Sequence, residues 1–254
     1  MIRVLQDTQW LTVRALRESL RQPAIELGSL LIPMFVFTIA ASSFGNVAEV
    51  AFGIENYAGF LLPAVILQAA AGAGGSSGAG MVQDIQSGYF DKLLLTPSSR
   101  LALLFYRLLA DAVRGMLLAI AIITVGLIAG SGMATGAAGF ATLVLLAGLF
   151  GLSYSGLALA IALKTGSAQA DKIGFLVFFP LLFLSPALAP AEIFSGWLEF
   201  ASELNPITYI LQGMRDLVLN GWSASSLVGA LLAMAGFAAF TWGLCALALR
   251  TRTE

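Results

Sequence analysis

Six apolar runs, each long enough to cross a bilayer as a helix, constrain this chain more than any other feature. A helix needs roughly 20 apolar residues to span about 30 Å of hydrocarbon. The predicted spans are Ala24–Phe44, Tyr57–Val82, Ala112–Gly130, Ala137–Leu163, Ile173–Ala189 and Leu227–Leu249. These runs are too long for ordinary strands, and they do not alternate as the strands of an outer-membrane barrel do. We therefore expect an all-α membrane protein with six transmembrane helices, forming a single domain over residues 1–254.

The composition supports a membrane environment for these runs. The chain of 254 residues is 59% hydrophobic and 11% charged, with a mean hydropathy of +0.90, whereas soluble domains are about one quarter charged. Its 27 glycines suit transmembrane helices, because small residues let helix backbones approach closely. The single cysteine, Cys245, lies in an apolar run, so we interpret it as a small buried side chain without a disulfide partner.

Lysine and arginine are distributed unevenly between the two sides of the predicted topology. They lie in the N-terminal arm, in the second-to-third and fourth-to-fifth connections, and in the C-terminal tail. The opposite connections, Gly45–Asn56 and Ser131–Gly136, have none, and Pro190–Ser226 has only Arg215. The positive-inside rule then places both termini in the cytoplasm. We expect a multi-pass protein of a bacterial or archaeal cytoplasmic (inner) membrane.

An amphipathic segment over residues 1–22 precedes the first span. Its two helical faces are Trp10, Val13, Leu16 and Leu20 on one side and Arg14, Arg17, Glu18 and Arg21 on the other. Such a helix lies in the headgroup plane, with its arginines toward anionic lipid. Pro23 disfavours the helical conformation of the preceding residue, so it ends the segment. We interpret the segment as an interfacial anchor helix.

The connection between the second and third spans, residues 83–100, holds a short amphipathic segment that Gly88 punctuates and Pro97 ends. Its apolar patch consists of Tyr89, Phe90, Leu93 and Leu94, flanked by Asp84, Asp91 and Lys92. An exposed aromatic and aliphatic patch is typical of a docking surface. A second interpretation is that the patch packs against the ends of the protein's own spans. The residues alone favour both interpretations equally.

The long connection over residues 190–226 is too apolar and too regular for a free loop. Ile193, Trp197, Phe200 and Leu204 recur at helical spacing, and Asn205-Pro206 interrupts the run. We expect short re-entrant helices that dip into the outer leaflet, with protein covering their irregular backbone. Asn205 and Thr208 are candidate caps of the second piece, and Pro206 suits its first turn.

We interpret the polar residues near or within the spans as contributing to helix packing. Arg107, Asp111 and Arg114 share one helix face, which favours an ion-pair cluster near the cytoplasmic end over a functional site. Gln68, halfway along the second span, is expected to face a neighbouring helix or a wet cavity. The glycine-rich stretch over residues 72–80 indicates close helix crossings.

The sequence lacks the common motifs of catalysis. No G-x-x-x-x-G-K-[ST] loop is present, since Leu163 instead of glycine precedes Lys164-Thr165, and the chain has no histidine. We therefore predict no catalytic, cofactor-binding or metal-binding residue in this chain.

Three stretches, which together extend over the whole chain, match motifs that occur together in one family. The first is Asp84-Ile85-x-x-Gly88-Tyr89-Phe90-Asp91-Lys92-Leu93-Leu94-x-Thr96-Pro97-x-x-Arg100. The others are Trp197-Leu198 with Leu204-Asn205-Pro206-Ile207-Thr208-Tyr209 and Arg215, and Arg17-x-x-x-Arg21-x-Pro23. In these stretches the chain resembles the type-2 ABC exporter permeases, notably the daunorubicin-resistance-like branch. Gln83 departs from the family pattern, which often has a charged residue there.

The resemblance implies a membrane subunit without its own ATPase site, powered by a separate cytoplasmic ABC ATPase that binds the ATP. It further implies a second permease copy or paralogue, and a drug-like, lipid-like or other amphipathic substrate. The residues 83–100 would then contain the coupling helix. The implied ATPase-docking residues are Asp84, Ile85, Gly88, Tyr89, Phe90, Lys92, Leu93 and Leu94. The implied outer motif is Asn205, Pro206, Thr208 and Tyr209, and the implied path-lining residues are Gln68, Phe175 and Phe179.

Two other functional classes compete with this interpretation. A secondary transporter or channel without an ATPase partner would need an ion site and often has an internal repeat, and neither is evident. A membrane-embedded enzyme would need clustered acids, histidine or cysteine in the spans, where Glu26 is almost alone. Association with an ATPase subunit distinguishes the exporter from both.

Overall fold

The computed structural model of the chain describes residues 9–17, 23–89, 92, 95, 102–166 and 170–253. Apart from a short 3-10 turn at Ala191–Ile193, its regular elements are α-helices. They are α1 (residues 9–17), α2 (Pro23–Phe52), α3 (Tyr57–Gln86), α4 (Ala102–Ile128), α5 (Gly136–Thr165), α6 (Ala170–Phe183), α7 (Trp197–Leu204), α8 (Pro206–Leu219) and α9 (Ala224–Thr253). The predicted all-α class is confirmed.

Five of the described helices, α2, α3, α4, α5 and α9, are long and apolar enough to cross a membrane. The predicted fifth span, Ile173–Ala189, is wrong at its end, because α6 ends at Phe183. Its 14 described residues reach about 21 Å, less than the hydrocarbon thickness. Pro186 has no N–H to continue the helix, and Ser185 Oγ donates to the Leu182 carbonyl. The six-span topology stays a prediction.

The ends of α2 and α3 also differ from the predicted boundaries. Helix α2 continues past Phe44 and ends at Phe52, because the next residue, Gly53, adopts φ +67°. Helix α3 continues past Val82 to Gln86, so the predicted docking residues Asp84 and Ile85 form its last turn. Gly88, at φ +68°, then turns the chain away from the helix axis. The predicted coupling segment is therefore in part a rigid extension of a span.

Helix α3 occupies the centre of the bundle, where α2, α4, α5 and α6 pack against it, and α9 packs mainly on α5 and α8. The core between α3, α5 and α6 contains fully buried side chains such as Ile66, Phe150, Tyr154 and Phe178. Helix α2 has few buried side chains, since Phe35 and Ile39, among others, are exposed along it. A helix that is apolar on its exposed face requires lipid or another protein against it.

Glycines make the crossing of α3 and α5 close. A Cβ atom placed on Gly74 would lie 3.2 Å from the backbone nitrogen of Ser155, and one on Gly78 would lie 3.1 Å from the carbonyl oxygen of Ala158. Both obstructing atoms are backbone atoms, which cannot rotate away. The glycine-rich stretch is therefore a packing feature at these two positions, as the sequence indicated.

Gly78→Leu is expected to lower the melting temperature of the purified permease, because it forces α3 and α5 apart. Overpacking of a tight core costs about 1–3 kcal/mol. The matched control is Gly236→Leu in α9, where an added Cβ meets nothing within 4 Å. Thermal unfolding monitored by size-exclusion chromatography measures both. Equal melting temperatures for the two variants would contradict the close crossing.

Candidate coupling site at the end of helix α3

A buried charge cluster joins α3 to α4 where the predicted coupling segment begins. Asp84 is 3% exposed, and its Oδ2 accepts hydrogen bonds from Arg107 Nη2 and, at 3.1 Å, from the Tyr106 hydroxyl. Arg107, 5% exposed, also donates from Nε to the Tyr106 oxygen at 2.9 Å. Both charges are thus compensated by direct hydrogen bonds, which is the condition for burying an ion pair without a large penalty. The cluster fixes the last turn of α3 to the start of α4.

Helix α1 adds a second cation to this cluster. Arg14 Nη2 lies 3.4 Å from Asp84 Oδ1, and the Arg14 guanidinium carbon lies 3.9 Å from the centre of the Tyr89 ring. The Thr12 hydroxyl donates to the Tyr106 carbonyl at 3.2 Å. Helix α1 is therefore attached both to the buried cluster and to the segment predicted to contact the ATPase. The sequence predicted an anchor helix but gave no signal for this attachment.

The remaining predicted docking residues have different environments. Ile85 is half-buried and packs against the buried cluster of Met81 and Leu108, whereas Lys92 is exposed. Leu95, in the same segment, is 88% exposed. Phe90, Leu93 and Leu94 lie outside the described residues. Asp84 faces the protein interior, so its side chain is placed to hold the segment instead of contacting a partner.

The three charged residues of α4, Arg107, Asp111 and Arg114, take part in two separate ion pairs. Arg114 Nη1 lies 3.4 Å from Asp111 Oδ1, one turn earlier, and donates to the Ala73 carbonyl of α3 at 3.2 Å. Arg107 pairs with Asp84 across helices, a contact that spacing along α4 alone could not indicate. The Arg114–Asp111 pair therefore lies within α4 and reaches α3 through the Ala73 carbonyl, whereas the Arg107–Asp84 pair joins the two helices.

Comparison with known proteins decides the family. Residues 6–219 match the profile of the ABC-2 type transporter family, which covers most of the chain. The chain belongs to the ABC-2 type transporter family. The resemblance found in the sequence motifs is thereby confirmed, and the protein is a membrane-spanning permease subunit.

Several curated permeases are similar to this one along most of its length. The transport permease ycf38 of Porphyra purpurea is 26% identical over 220 residues, 85% of this chain and 75% of its own. The daunorubicin resistance ABC transporter permease protein DrrB1 of Streptomyces coeruleorubidus is 26% identical over 74% of this chain and 66% of its own. The doxorubicin resistance ABC transporter permease protein DrrC of Mycobacterium tuberculosis is 22% identical over 89% of this chain and 81% of its own.

The outer motif of the permease forms the corner between α7 and α8. Asn205 caps α8, since its Oδ1 accepts from the Ile207 N–H at 3.0 Å, and Pro206 occupies the first turn as predicted. The Thr208 hydroxyl lies 2.7 Å from the Ser202 carbonyl, and the Tyr209 hydroxyl donates to the Glu203 carbonyl at 2.7 Å. All four residues therefore stabilise the turn.

The predicted path-lining residues lie on α3 and α6. Gln68 is 7% exposed inside the bundle. Phe179 is half-buried and stacks on the exposed Phe183, with ring centres 6.3 Å apart and planes inclined by 23°. Phe175 belongs to α6, but its side chain lies outside the described part of the protein. Their contact with a substrate stays a prediction.

Proposed function

We propose that this permease forms the translocation path of an exporter that is driven by a separate cytoplasmic ABC ATPase, which binds and hydrolyses the ATP. The observation that carries the proposal is the bonding of Asp84, at the start of the segment 83–100, to Arg107 of α4 and to Arg14 of α1. A partner that moves this segment must also move α3 and α4, because the buried pair joins them. Rigid displacement of packed helices is an established means of transmitting such a movement.

A second permease copy or a paralogue completes the path in this proposal. Helix α2 exposes an apolar face, and α6 exposes Leu176 and Phe183. Both helices pack on α3, so a partner that covers both faces would bring two α3 helices near the centre of the assembly. The remaining apolar surface would face membrane lipid.

The proposed substrate is a drug-like, lipid-like or other amphipathic molecule. Two of the similar permeases are named for resistance to daunorubicin and doxorubicin. The stacked pair Phe179 and Phe183 offers an exposed aromatic surface on which a planar molecule could pack. The proposed orientation puts both termini in the cytoplasm of a bacterial or archaeal inner membrane, and the distribution of lysine and arginine supports it.

Proteoliposomes test the dependence on an ATPase. With its cognate ABC ATPase and ATP, the permease is expected to move doxorubicin across the bilayer, and fluorescence quenching measures this. The permease alone should show no ATP hydrolysis above that of empty liposomes, since it has no phosphate-binding loop. A non-hydrolysable ATP analogue is the control. Transport by the permease alone, driven by an ion gradient, would support the secondary transporter instead.

A further inference from the structure

An open cavity of about 690 Å³ lies at the end of the bundle opposite to Asp84. The α2–α3 loop, the α4–α5 loop and the second half of α8 form its walls. Helix α3 begins beside the cavity, and Asp84 lies 24 residues after the lining residue Phe60, so about 36 Å separates the cavity from the coupling site. The cavity therefore does not belong to the ATPase-docking region. In the predicted topology it faces the outer leaflet.

Hydrogen bonds between the loops hold the cavity walls in place. Asn56 donates to the Ser131 carbonyl at 2.8 Å and to the Gly130 carbonyl at 3.3 Å, while its Oδ1 accepts from the Gly59 N–H. The Thr135 hydroxyl lies 2.6 Å from the Leu217 carbonyl oxygen of α8. The three walls are thus joined to one another, and the cavity is a built feature of the fold.

Arg215 presents a positive charge to this cavity. Its Nε donates to the Phe60 carbonyl at 3.2 Å, its Nη2 donates to the Pro186 carbonyl at 2.8 Å, and its guanidinium carbon lies 3.5 Å from the centre of the Phe60 ring. These partners are neutral. Among the described residues, none contributes a carboxylate oxygen within 4 Å of the guanidinium.

The charge on Arg215 is retained at neutral pH. Burial lowers the pKa of Arg215 to about 10, against the opposing influence of Asp216, Glu192 and Tyr57. A half-buried cation that is held by carbonyls and a ring, without a close carboxylate, attracts an anion from outside the chain. Glu55, exposed at the same cavity, adds a negative charge to its rim.

The rest of the lining is mixed, with apolar side chains beside the polar residues Asn56, Ser131 and Asn220. Ile54, Met133 and Leu219 contribute partly exposed apolar side chains to it. A small hydrated anion gains no binding free energy from apolar walls. The hydrocarbon part of an amphiphile does gain binding free energy there, because it leaves water. A cavity with one cation and several apolar side chains therefore matches a molecule with an anionic head and an apolar body.

We propose that this cavity binds an anionic amphiphile, with its phosphate or carboxylate on Arg215 and its apolar part against Met133 and Leu219. The guanidinium donates charge-assisted hydrogen bonds to the anionic head, and bidentate pairing favours arginine over lysine for such groups. The site is independent of ATP and of the ATPase, so it can be tested on the permease alone.

The test uses the full chain in phosphatidylcholine nanodiscs that contain a trace of phosphatidylglycerol with a photoreactive group near its head. Mass spectrometry of the labelled peptides compares the cavity wall at Met133 and Leu219 with the exposed face of α2, which reports general lipid contact. With the phosphatidylglycerol probe, we expect the ratio of cavity labelling to α2 labelling to be higher than with a matched phosphatidylcholine probe. Dodecyl phosphate should compete, and inorganic phosphate should not.

Three variants distinguish the contribution of charge to labelling from the contribution of the cavity's shape. Arg215→Gln should reduce relative labelling about tenfold or more, the usual effect of losing a hydrogen bond to a charged group. Ala134→Phe should reduce it as well, by filling the cavity from an exposed position that none of the Arg215 contacts uses. Glu55→Gln should raise it about two- to fivefold, because the repelling rim charge is removed.

The proposal fails if Ala134→Phe and Glu55→Gln both leave labelling unchanged, and these variants apply even where Arg215→Gln does not fold. It also fails if the phosphatidylcholine probe labels the cavity equally, since the site would then be merely apolar. If inorganic phosphate competes as strongly as dodecyl phosphate, the assignment of an amphiphilic ligand is wrong and the cavity binds small anions.

Discussion

Arg107→Gln is expected to lower both the melting temperature of the permease and the amount of folded protein in the membrane by a large margin. Arg107 and Asp84 are both almost fully buried and bonded to each other. Removal of one partner leaves the other charge buried and uncompensated, which costs about 3–5 kcal/mol. Among the described residues, Asp84 then keeps the Tyr106 hydroxyl and the more distant Arg14. Thermal unfolding by size-exclusion chromatography and membrane abundance measure the effect.

Arg14→Gln is the matched control for this prediction. Arg14 contacts the same carboxylate, but its side chain is 41% exposed and the separation is 3.4 Å, so its loss should cost about 0–1 kcal/mol. The double variant Asp84→Asn/Arg107→Gln should be more stable than Arg107→Gln alone, because it removes both charges. If Arg107→Gln and Arg14→Gln have the same melting temperature, the buried pair does not stabilise the junction of α3 and α4.

Local patterns in the sequence predicted the features that depend on neighbouring residues. The cap at Asn205 with Pro206 in the first turn of α8 follows from residues adjacent along the chain, and the structure has it. The apolar runs indicated membrane helices because length and composition suffice for that inference. The family motifs, taken in their order along the chain, were sufficient to indicate a permease.

Features that depend on packing between distant segments could not be predicted in this way. Asp84 looked like part of an exposed segment, but α3 extends past it and its carboxylate is buried by Arg107, 23 residues later. The cavity around Arg215 is formed by loops 75 residues apart at Asn56 and Ser131. Helix α6 is short because of turns after Phe183, where Ser185 and Pro186 interrupt the apolar run.

Phe90→Asp is expected to abolish ATPase binding while leaving the permease folded. The hypothesis is that Tyr89, Phe90 and Leu93 occupy a groove of the ATPase, since they would otherwise be apolar groups exposed to the cytoplasm. Truncating an aromatic anchor at such an interface costs about 2 kcal/mol or more, roughly a thirtyfold loss of affinity. Aspartate should cost more than alanine at this position, because it also buries an unpaired charge.

A substitution at Phe90 tests ATPase docking more specifically than one at Tyr89. The Tyr89 ring already contacts Arg14, so a change at Tyr89 would alter both the attachment of α1 and any contact with the ATPase. The control is Phe200→Asp, the same change at an exposed aromatic residue of α7, among the elements predicted to lie on the outer side. ATPase recovered by pull-down is divided by the amount of permease in the membrane, so a loss of abundance is not mistaken for a loss of binding.

The competing interpretation, in which the patch packs on the ends of the permease's own helices, predicts a different result for Phe90→Asp. Low abundance and a lowered melting temperature would follow, because the charge would then enter the hydrophobic cluster that contains Ile85, Met81 and Leu108. Normal abundance with ATPase binding lost supports docking. Normal abundance with binding and export both intact would refute the coupling assignment, because an anchor in a partner groove cannot accept a charge without loss of affinity.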